Sequence, residues 1–314
     1  MVKFGVIGVG YLGRHHTRIL RDLSDVKLLG IFDINRKRGE KISREFSIPI
    51  YDSSDSLIED ADALVIATPT VTHYKIAKKA LLMGKHTFVE KPITYDLKEA
   101  DELVDLRKKM GVILQTGHVE RFNPAFLAVK DMIKEPLFVE AHRLTPPNKR
   151  SNDVSVVLDL MVHDLDLVFL YIKEPIVYIS AAGIPVVNDS IDLANVRLEF
   201  ASGAIANITA SRIYKGMMRK IRFYQRYAYI SIDLFEKKAE VYTRKNENGI
   251  PEIIKKIINP ANEEPLKLEL RSFVDAILGR REPAITPEEA THTLKIAHTI
   301  LEKIEERGIP GENR

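Results

Sequence analysis

Short apolar runs alternate with segments of helical period over the first 120 residues. In each helical segment the apolar positions recur every three to four residues, whereas the runs between them are apolar at nearly every position. Strands separated by helices in this way indicate βαβ units and a parallel sheet. The predicted strands are VKFGVIGV, VKLLGIFD, ALVIAT, HTFVEKP and VILQTG, and the predicted helices cover residues 13–23, 34–46, 71–84 and 97–110.

The pattern changes after Asn123. A predicted helix at 124–134 is followed by the strand LFVEAHRLT and by a helix at 154–171. Strands with short connections then follow one another without helical crossovers, which indicates an antiparallel sheet. They are IVYISAAGI, DLANVRLEF, GAIANITASRI, RKIRFYQR, AYISIDLF and KAEVYTR, with Gly203 at a turn between the second and the third.

Two helices close the chain, at 266–278 and 287–306. The second begins with Thr286, Pro287 and Glu289, which form the pattern of a capping box with proline at the first helical position. The predicted fold is therefore an α/β Rossmann domain over residues 1–120 and an α+β domain with a large, mostly antiparallel open sheet over 121–314. The C-terminal helix is a candidate to pack back on the first domain.

Composition limits the class of protein. The chain has 314 residues, of which 45% are hydrophobic and 29% charged, as in globular proteins with room for two domains. No apolar run is long enough for a membrane span, and the glycine-rich start does not resemble a signal peptide, so we expect a cytoplasmic protein. The absence of cysteine excludes disulfides and thiolate chemistry. With 47 basic against 44 acidic residues, nucleic-acid binding is not expected.

A glycine-rich loop joins the first predicted strand to the first helix with the spacing G-x-G-x-x-G. The first glycine permits a tight turn, the second lets the backbone approach a pyrophosphate, and the third lets the helix pack on the strand. The helix N-terminus offers amide groups to the anion. The alternative is a structural turn that binds no ligand. The predicted cofactor contacts in this segment are Gly8, Gly10, Tyr11, Leu12 and Gly13.

Asp33 ends the second strand 20 residues after Gly13, where a carboxylate can accept hydrogen bonds from the ribose hydroxyls of a dinucleotide. A carboxylate there would repel the 2′-phosphate of NADP, although Arg36, Lys37 and Arg38 follow and could neutralise it. Since such cations commonly belong to a solvated helix face, the sequence favours NAD over NADP.

Three further segments carry candidate chemistry. Glu90 and Lys91 follow a Rossmann strand, at the edge where ligands bind in such sheets. Asp159 and His163 are four residues apart on a predicted helix, so their side chains leave from one face. Taken singly, the lysine could be a surface cation and the Asp–His pair a hydrogen bond on a helix surface. The third segment, ATPTVTH, supplies Thr68, Pro69 and His73.

With the glycine loop, these segments resemble the glucose–fructose oxidoreductase and inositol dehydrogenase family (Gfo/Idh/MocA) over essentially the whole chain. The resemblance implies an NAD-dependent dehydrogenase in which Lys91 stabilises the reacting oxygen and His163 takes the hydroxyl proton. Asp159 would hold His163 or the sugar. A base that titrates near neutrality and a cation beside a forming alkoxide suit hydride transfer. Either Lys91 or His163 could be the base. Asp166 could orient His163 or serve only in packing, and Asp164 is expected to be structural.

The resemblance also implies cofactor contacts from Thr68, Pro69, His73, Glu90 and Lys91. The segments QTGHVERFNPA and DLMVHDLD are most similar to the branch of the family that oxidises C3 of UDP-N-acetylglucosamine and related UDP-sugars. His118, Arg121 and Asn123 are then substrate-contact candidates together with Lys91, Asp159 and His163. The alternative for Arg121 is a hinge packed by an ion pair with Glu120.

The chain departs from the family at VSVVLDLMVH, where many members carry glycines, and these bulky apolar residues indicate a differently shaped pocket floor. The substrates of the inositol and glucose enzymes are therefore not carried over to this chain. Other readings are a dehydrogenase of another sugar or polyol, a catalytically silent NAD-binding regulator, or an NAD-dependent glycosidase. Basic stretches at 142–150 and 212–226 are candidates for a diphosphate site, but period-two alternation favours a polar sheet face for the second.

The histidine pairs His15–His16 and His292–His298 lack metal-ligand spacing on a helix, so no metal is expected. An open antiparallel sheet leaves one broad face, which commonly packs against another copy of the chain. We therefore expect a homodimer or homotetramer.

Overall fold

The computed structural model describes residues 1–147, 154–187, 189–247 and 250–308. The chain forms two compact units. The first contains Met1–Val119 and Pro265–His292, and the second contains Glu120–Glu264 and the segment that starts at Thr293.

A five-stranded parallel sheet lies at the centre of the first unit. Its strand order is β2-β1-β3-β4-β5, and every neighbouring pair is parallel. The order reverses between β1 and β3, and ligands of such folds bind at the carboxyl ends of the strands beside that switch point. The predicted Rossmann fold is thus confirmed. The strands are β1 (Val2–Ile7), β2 (Val26–Phe32), β3 (Ala63–Ile66), β4 (His86–Val89) and β5 (Leu114–Thr116).

Helices connect these strands as the apolar pattern predicts, with two differences. The helix predicted at 71–84 begins only at His73, after a 3₁₀ turn at Thr70–Thr72. A short helix capped by Ser53, whose hydroxyl accepts from the Ser56 N–H, is not predicted by the apolar pattern. The helices are α1 (Tyr11–Asp22), α2 (Arg36–Phe46), α3 (Ser54–Asp60), α4 (His73–Leu82) and α5 (Leu97–Met110).

A late segment of the chain completes the core of the first unit. Helix α8 (Pro265–Ile277) brings Leu270, Phe273 and Val274 into the apolar cluster around β1. The Phe273 ring meets Phe4 and Phe88 edge-on, with ring centroids 6.0 and 5.7 Å away. Edge-to-face pairs add about 0.5–1.5 kcal/mol to the burial of the rings. Residues 265–292 therefore group with the first unit, although the sequence predicts them in the segment 121–314.

An eight-stranded sheet forms the second unit, in the order β13-β12-β11-β10-β6-β9-β8-β7. All neighbouring pairs are antiparallel except β6 and β9, so the predicted mostly antiparallel sheet is confirmed. The strands are β6 (Phe138–Leu144), β7 (Ile176–Ile184), β8 (Leu193–Phe200), β9 (Ile205–Ser211), β10 (Met218–Gln225), β11 (Ala228–Asp233), β12 (Lys238–Glu247) and β13 (Ile250–Ile258).

One face of this sheet is buried, because alternate residues of β8 and β9 enter the core and the residues between them stay partly exposed. The turn between these strands contains Gly203 with φ +85°, as its position predicts. Helix α7 (Val162–Tyr171) covers the buried face and contributes Leu165 and Val168 to the core.

The helix predicted at 124–134 is wrong in length. It consists of α6 (Pro124–Leu127) and a separate 3₁₀ turn at Lys130–Met132, because Val129 leaves helical geometry with φ −126° and ψ −2°. The helix predicted at 154–171 likewise begins later, as a π-helical turn at Val157–Met161 that continues into α7.

The last helix, α9 (Pro287–Arg307), begins with the predicted capping box. The Glu289 N–H donates to Thr286 Oγ1 at 3.2 Å, and the Thr286 N–H donates to Glu289 Oε2 at 3.3 Å. Among the described residues, no helix combines the length and the apolar character that crossing a membrane requires.

Candidate active site

The glycine loop packs so tightly that two of its positions accept only glycine. Gly8 has φ +86°, in the left-handed region, and a Cβ there would lie 2.7 Å from both Ala67 O and Thr68 Cγ2. A Cβ on Gly13 would lie 1.9 Å from Gly8 O. The start of α1 is therefore held directly against the end of β1, as a dinucleotide-binding loop requires.

Gly10 differs from these two glycines because its Cβ position is open. The nearest atom to a Cβ there would be Arg38 Nη1 at 3.6 Å. Gly10 is also the N-cap of α1, and no side-chain hydrogen bond caps this helix end. Tyr11 and Leu12 are exposed beside it. An open cradle at an uncapped helix N-terminus suits the pyrophosphate of NAD, so the loop fits the predicted cofactor.

Asp33 is fixed beside this loop. The side chain is buried, and Oδ2 accepts from the Val9 N–H at 2.9 Å while Oδ1 accepts from the Asn35 N–H at 2.8 Å. A carboxylate has about four acceptor positions, so two remain for ribose hydroxyls. Arg38 Nε lies 3.5 Å from Asp33 Oδ2, whereas Arg36 pairs with Asp52 at the surface. Arg36 thus behaves as a solvated cation, and the carboxylate favours NAD.

His73 bridges the two chain segments that follow β3 and β4. The imidazole is almost fully buried, with Nδ1 2.9 Å from Pro92 O and Nε2 2.9 Å from Thr68 O. Burial lowers the pKa of His73, and the two carbonyl contacts oppose this only in part. A neutral imidazole carries one N–H, so it can donate to one of the two carbonyls at a time. Thr68 and Pro69 also hold Thr72, whose hydroxyl lies 2.7 Å from Thr68 Oγ1 and 2.7 Å from Pro69 O.

Glu90 follows β4 and is buried rather than open to a ligand. Its Oε1 lies 2.6 Å from His16 Nε2, and its Oε2 accepts from the Lys91 N–H at 3.3 Å. Burial raises the pKa of Glu90, but the His16 hydrogen bond and the charge of Lys91 outweigh it, so the pKa is lowered. Glu90 is therefore an ionised acceptor, and His16 Nε2 carries the shared hydrogen.

His16 has no predicted role, although the sequence offers one signal. It lies three residues after Gly13 on the apolar side of α1, with Ile19 and Leu20. Lys91 itself is partly exposed, and the Lys91–Pro92 peptide bond is cis.

His118 is the last of the predicted site residues along the first unit. Its backbone N–H donates to Glu269 Oε1 of α8 at 2.6 Å, and its side chain is buried. The same late helix that completes the apolar core thus fixes the backbone at His118.

The second unit carries Asp159 and His163 on consecutive helical turns. Asp159 lies in the π-helical turn and His163 in the first turn of α7. Single π-helical turns occur frequently at functional sites. The chain before this turn is anchored by Arg212, which donates to Val154 O, and by the Val156 N–H, which donates to Ile191 O at 3.0 Å.

Arg121 and Asn123 hold the second unit together internally. Arg121 Nε and Nη2 donate to the two oxygens of Asp166 at 2.7 and 2.6 Å, and both side chains are buried. Asn123 caps α6 and donates from Nδ2 to Glu120 Oε2 at 3.1 Å and to Leu234 O at 2.9 Å. Asp166 is thus an ion-pair partner of Arg121. The contact of Arg121 and Asn123 with substrate stays a prediction.

The sequence leaves open a hinge in which Arg121 pairs with Glu120. In the structure the ion pair with Glu120 is formed by Arg143. Arg143 is fully buried; Nη1 donates to Glu120 Oε1 at 2.7 Å, and Nε and Nη2 donate to Asp164 at 2.8 and 3.0 Å. Burial raises the pKa of Asp164 even beside Arg143, whereas Arg143 outweighs burial and lowers the pKa of Glu120. The expected structural role of Asp164 is confirmed.

The two basic stretches have different outcomes. Residues 212–226 include β10, whose alternate side chains enter the core, so the polar sheet face is confirmed. Residues 148–150 of the other stretch lie outside the described residues. Within the described ranges, no group of three or more His, Cys, Asp or Glu side chains is arranged to hold a metal ion.

Comparison with known proteins agrees with this geometry. Residues 2–118 match the family model of oxidoreductases with an NAD-binding Rossmann fold, and residues 135–229 match the Gfo/Idh/MocA C-terminal domain. The chain is 34% identical to the UDP-N-acetylglucosamine 3-dehydrogenase of Acidithiobacillus ferrooxidans over 89% of this chain and 90% of that protein. It is 27% identical to the myo-inositol 2-dehydrogenase of Thermotoga maritima over 98% of this chain and 97% of that one.

A solved structure of the Acidithiobacillus ferrooxidans enzyme superposes with a TM-score of 0.92 at 32% identity, covering 97% of this chain and 98% of the other. A dehydrogenase from Clostridium difficile shares the fold with a TM-score of 0.84 at 21% identity, covering 96% of this chain and 99% of the other. The likeness extends over both units of the chain. This protein is therefore an oxidoreductase of the Gfo/Idh/MocA family, built from the NAD-binding Rossmann domain and the C-terminal domain of that family.

Proposed function

We propose that this enzyme oxidises the C3 hydroxyl of a UDP-N-acetylhexosamine such as UDP-N-acetylglucosamine, with NAD as the hydride acceptor. The observation that carries the proposal is the 34% identity to a UDP-N-acetylglucosamine 3-dehydrogenase along nearly the whole length of both chains. Oxidation removes one proton from the hydroxyl group and one hydride from the carbon, which leaves a keto-sugar. Bound NAD supplies the hydride acceptor at nicotinamide C4.

Three side chains act on the hydroxyl group in this proposal. Lys91 Nζ donates a hydrogen bond to the reacting oxygen and stabilises the negative charge that develops on it. A nitrogen of the His163 imidazole takes the hydroxyl proton and returns it in the reverse direction. Asp159 orients His163 or a sugar hydroxyl. The presence of a lysine, an aspartate and a histidine at these family positions supports an active enzyme over a silent regulator.

We propose cofactor contacts from the residues whose geometry fits NAD. The open cradle at Gly10 and the free acceptor positions of Asp33 support a pyrophosphate and a ribose contact. We propose further contacts from Tyr11, Leu12, Thr68 and Pro69, which lie at the same edge of the parallel sheet. The burial of His73 and Glu90 favours a supporting part for these two side chains.

His118, Arg121 and Asn123 are the proposed substrate residues outside this set. The hydrogen bonds of Arg121 and Asn123 inside the second unit favour a supporting part for them as well. A replacement of Arg121 by lysine, which cannot form the two-pronged contact, would then lower stability together with activity.

The test is a panel of UDP-sugars and free polyols, assayed by NADH absorbance with the wild type, with Lys91→Ala and with Lys98→Ala. Lys98 is an exposed lysine of α5 and serves as the matched control. We expect NADH formation with a UDP-N-acetylhexosamine, a loss of at least about 100-fold in kcat for Lys91→Ala, and little change for Lys98→Ala. Lys91→Ala with wild-type turnover would refute the proposed chemistry.

The same panel separates the remaining functions. Similarity to the myo-inositol 2-dehydrogenase over 98% of this chain makes a polyol dehydrogenase the second candidate, and turnover of inositol without UDP-sugar turnover would favour it. Release of a glycosidic leaving group without net NADH would indicate a glycosidase. Binding of NAD without turnover of any substrate would favour a regulator.

We also propose that the enzyme is a homodimer or homotetramer in the cytoplasm. The eight-stranded sheet has one face covered by α7, and its edge strand β13 exposes Ile253 and Ile257. Apolar side chains on an edge strand are commonly covered by another chain. Sedimentation velocity of the wild type against an Ile253→Lys/Ile257→Lys variant tests this, and a wild-type monomer would contradict it.

A further inference from the structure

His16 and Glu90 form a buried pair that touches no part of the proposed reaction directly. His16 is fully buried, and its Nε2 donates to Glu90 Oε1 at 2.6 Å. A charge-assisted hydrogen bond of this length in a buried setting is among the stronger side-chain contacts in proteins. The pair joins α1, which starts in the glycine loop, to the residue just after β4.

The second oxygen of Glu90 continues this contact to Lys91. Oε2 accepts from the Lys91 N–H at 3.3 Å. The same oxygen lies close to Gly117, where an added Cβ would be only 3.0 Å away, so a larger residue at that position would displace the carboxylate. The backbone of Lys91 is therefore attached to α1 through one carboxylate.

His73 holds the other side of the same segment. Its Nδ1 lies 2.9 Å from the carbonyl oxygen of Pro92, the residue after Lys91. Lys91 thus lies between two backbone positions that buried histidines fix, one from α1 and one from α4. A flexible four-carbon side chain reaches a fixed point more often when its backbone is fixed.

We infer that His16 and Glu90 are positioning residues that hold Lys91 in place, and that they couple its position to the helix of the glycine loop. This inference rests on the proposed function for the role of Lys91. Displacement of a reacting group by about 1 Å can lower a rate about 100-fold. Loss of the pair therefore lowers kcat while the KM for sugar and the affinity for NADH change less.

The charges around Glu90 predict a pH signature. The groups that face it are His16 from α1, the neutral His73 from α4 and the adjacent Lys91, and the hydrogen bond from His16 with the charge of Lys91 keeps the carboxylate ionised. When His16 is replaced by an apolar residue, burial remains and its strongest opposing contact is lost, so the pKa of Glu90 rises. Activity on the acid side then falls at higher pH than in the wild type.

The test compares His16→Leu, His16→Gln and Glu90→Gln, with His86→Leu as control. His86 lies at the opposite end of β4, where its Nδ1 accepts from the Ile113 N–H. We expect His16→Leu to lose about 10–100-fold in kcat and to show an acid limb shifted to higher pH. Glutamine at position 16 can still donate to Glu90, so His16→Gln recovers most of the rate. Glu90→Gln lowers kcat without shifting the acid limb, because an amide does not titrate.

A second measurement does not depend on turnover. Amine-selective labelling of the protein, read out at Lys91 and at Lys98 by peptide mass spectrometry, reports how tightly each lysine is held. We expect labelling of Lys91 to become at least about threefold faster in His16→Leu and Glu90→Gln, with Lys98 unchanged.

The outcomes separate the two claims. If Lys91→Ala retains full turnover, the proposed function fails, and labelling still decides whether the pair holds Lys91. Unchanged Lys91 labelling in Glu90→Gln overturns the positioning role, as does an equal loss of kcat in His16→Leu, His16→Gln and His86→Leu. Should His16→Leu not fold, His16→Gln and Glu90→Gln carry the test.

Discussion

Replacement of Arg143 by methionine is expected to destabilise the second unit strongly. Methionine fills a similar volume without donors, so the change removes the charge and leaves Glu120 and Asp164 as buried carboxylates. Arg143 donates three hydrogen bonds of 2.7, 2.8 and 3.0 Å to these groups, and all three side chains are buried.

The magnitude follows from these contacts. Three hydrogen bonds to charged groups, at about 1.5–3 kcal/mol each, give an upper figure of about 9 kcal/mol. Removal of one partner from a buried ion pair costs about 3–5 kcal/mol in practice. Glu120 keeps its bond from Asn123 and lies 3.7 Å from Arg219, which offsets part of the loss. We expect about 4 kcal/mol, or a melting temperature lower by about 8–16 °C.

Thermal and urea unfolding monitored by circular dichroism measure this loss. Arg197→Met is the control, because Arg197 pairs with Glu199 on the partly exposed face of the same sheet and such pairs contribute about 0–1 kcal/mol. The triple variant Arg143→Met/Glu120→Gln/Asp164→Asn removes the uncompensated charges and should recover part of the stability.

The result that would refute this reasoning is a loss of less than about 1 kcal/mol for Arg143→Met, equal to that of the control. Equal stability of the single and the triple variant would also contradict it, because the penalty is assigned to charges left without a partner.

Three further predictions concern the first unit. Gly13→Ala forces a Cβ against Gly8 O and should cost about 1–3 kcal/mol of stability as well as NAD binding, measured by thermal unfolding and NADH fluorescence titration. In Gly10→Ala the new Cβ meets no atom closer than 3.6 Å, so the melting temperature should stay within a few degrees of the wild type. The affinity for NADH should fall at least about tenfold, because the Cβ enters the space proposed for the pyrophosphate. A large drop in melting temperature would contradict an open cradle at Gly10. His73 is neutral in the native state because burial lowers its pKa, so below about pH 6.5 the unfolded chain binds a proton that the folded chain does not. The stability that His73 contributes is therefore lost as pH falls. The difference in free energy of unfolding between wild type and His73→Gln, measured in urea, should shrink between about pH 8 and about pH 5.5. The decrease should be at most about 1.4 kcal/mol per pH unit.

The strands and the glycine loop follow from the sequence because their determinants are local. β3 is four apolar residues buried on both faces, and Gly8, Gly10 and Gly13 show their spacing directly. The capping box of α9 is equally local. In each case the signal lies within a few consecutive residues of the sequence.

The contacts that fix the candidate site are not local, and the sequence does not show them. His16 and Glu90 are 74 residues apart, and the contact needs β4 to lie beside α1 in three dimensions. The choice of Arg143 rather than Arg121 as partner of Glu120 likewise depends on how β6 meets the 3₁₀ turn at Val119–Phe122. Arg121 and Arg143 are both buried, so burial does not distinguish them, and only their positions in the fold select their partners.

The position of Phe273 has a consequence for the order of events during synthesis. Phe4 and Phe88 leave the ribosome early, but the ring that packs between them belongs to α8, near the end of the chain. The nucleotide-binding unit is therefore the first to be translated and among the last to be completed, and until then it presents an aromatic surface to the cell. Chains truncated before residue 265 should expose that surface, bind chaperones and aggregate, even though every strand of the parallel sheet is present.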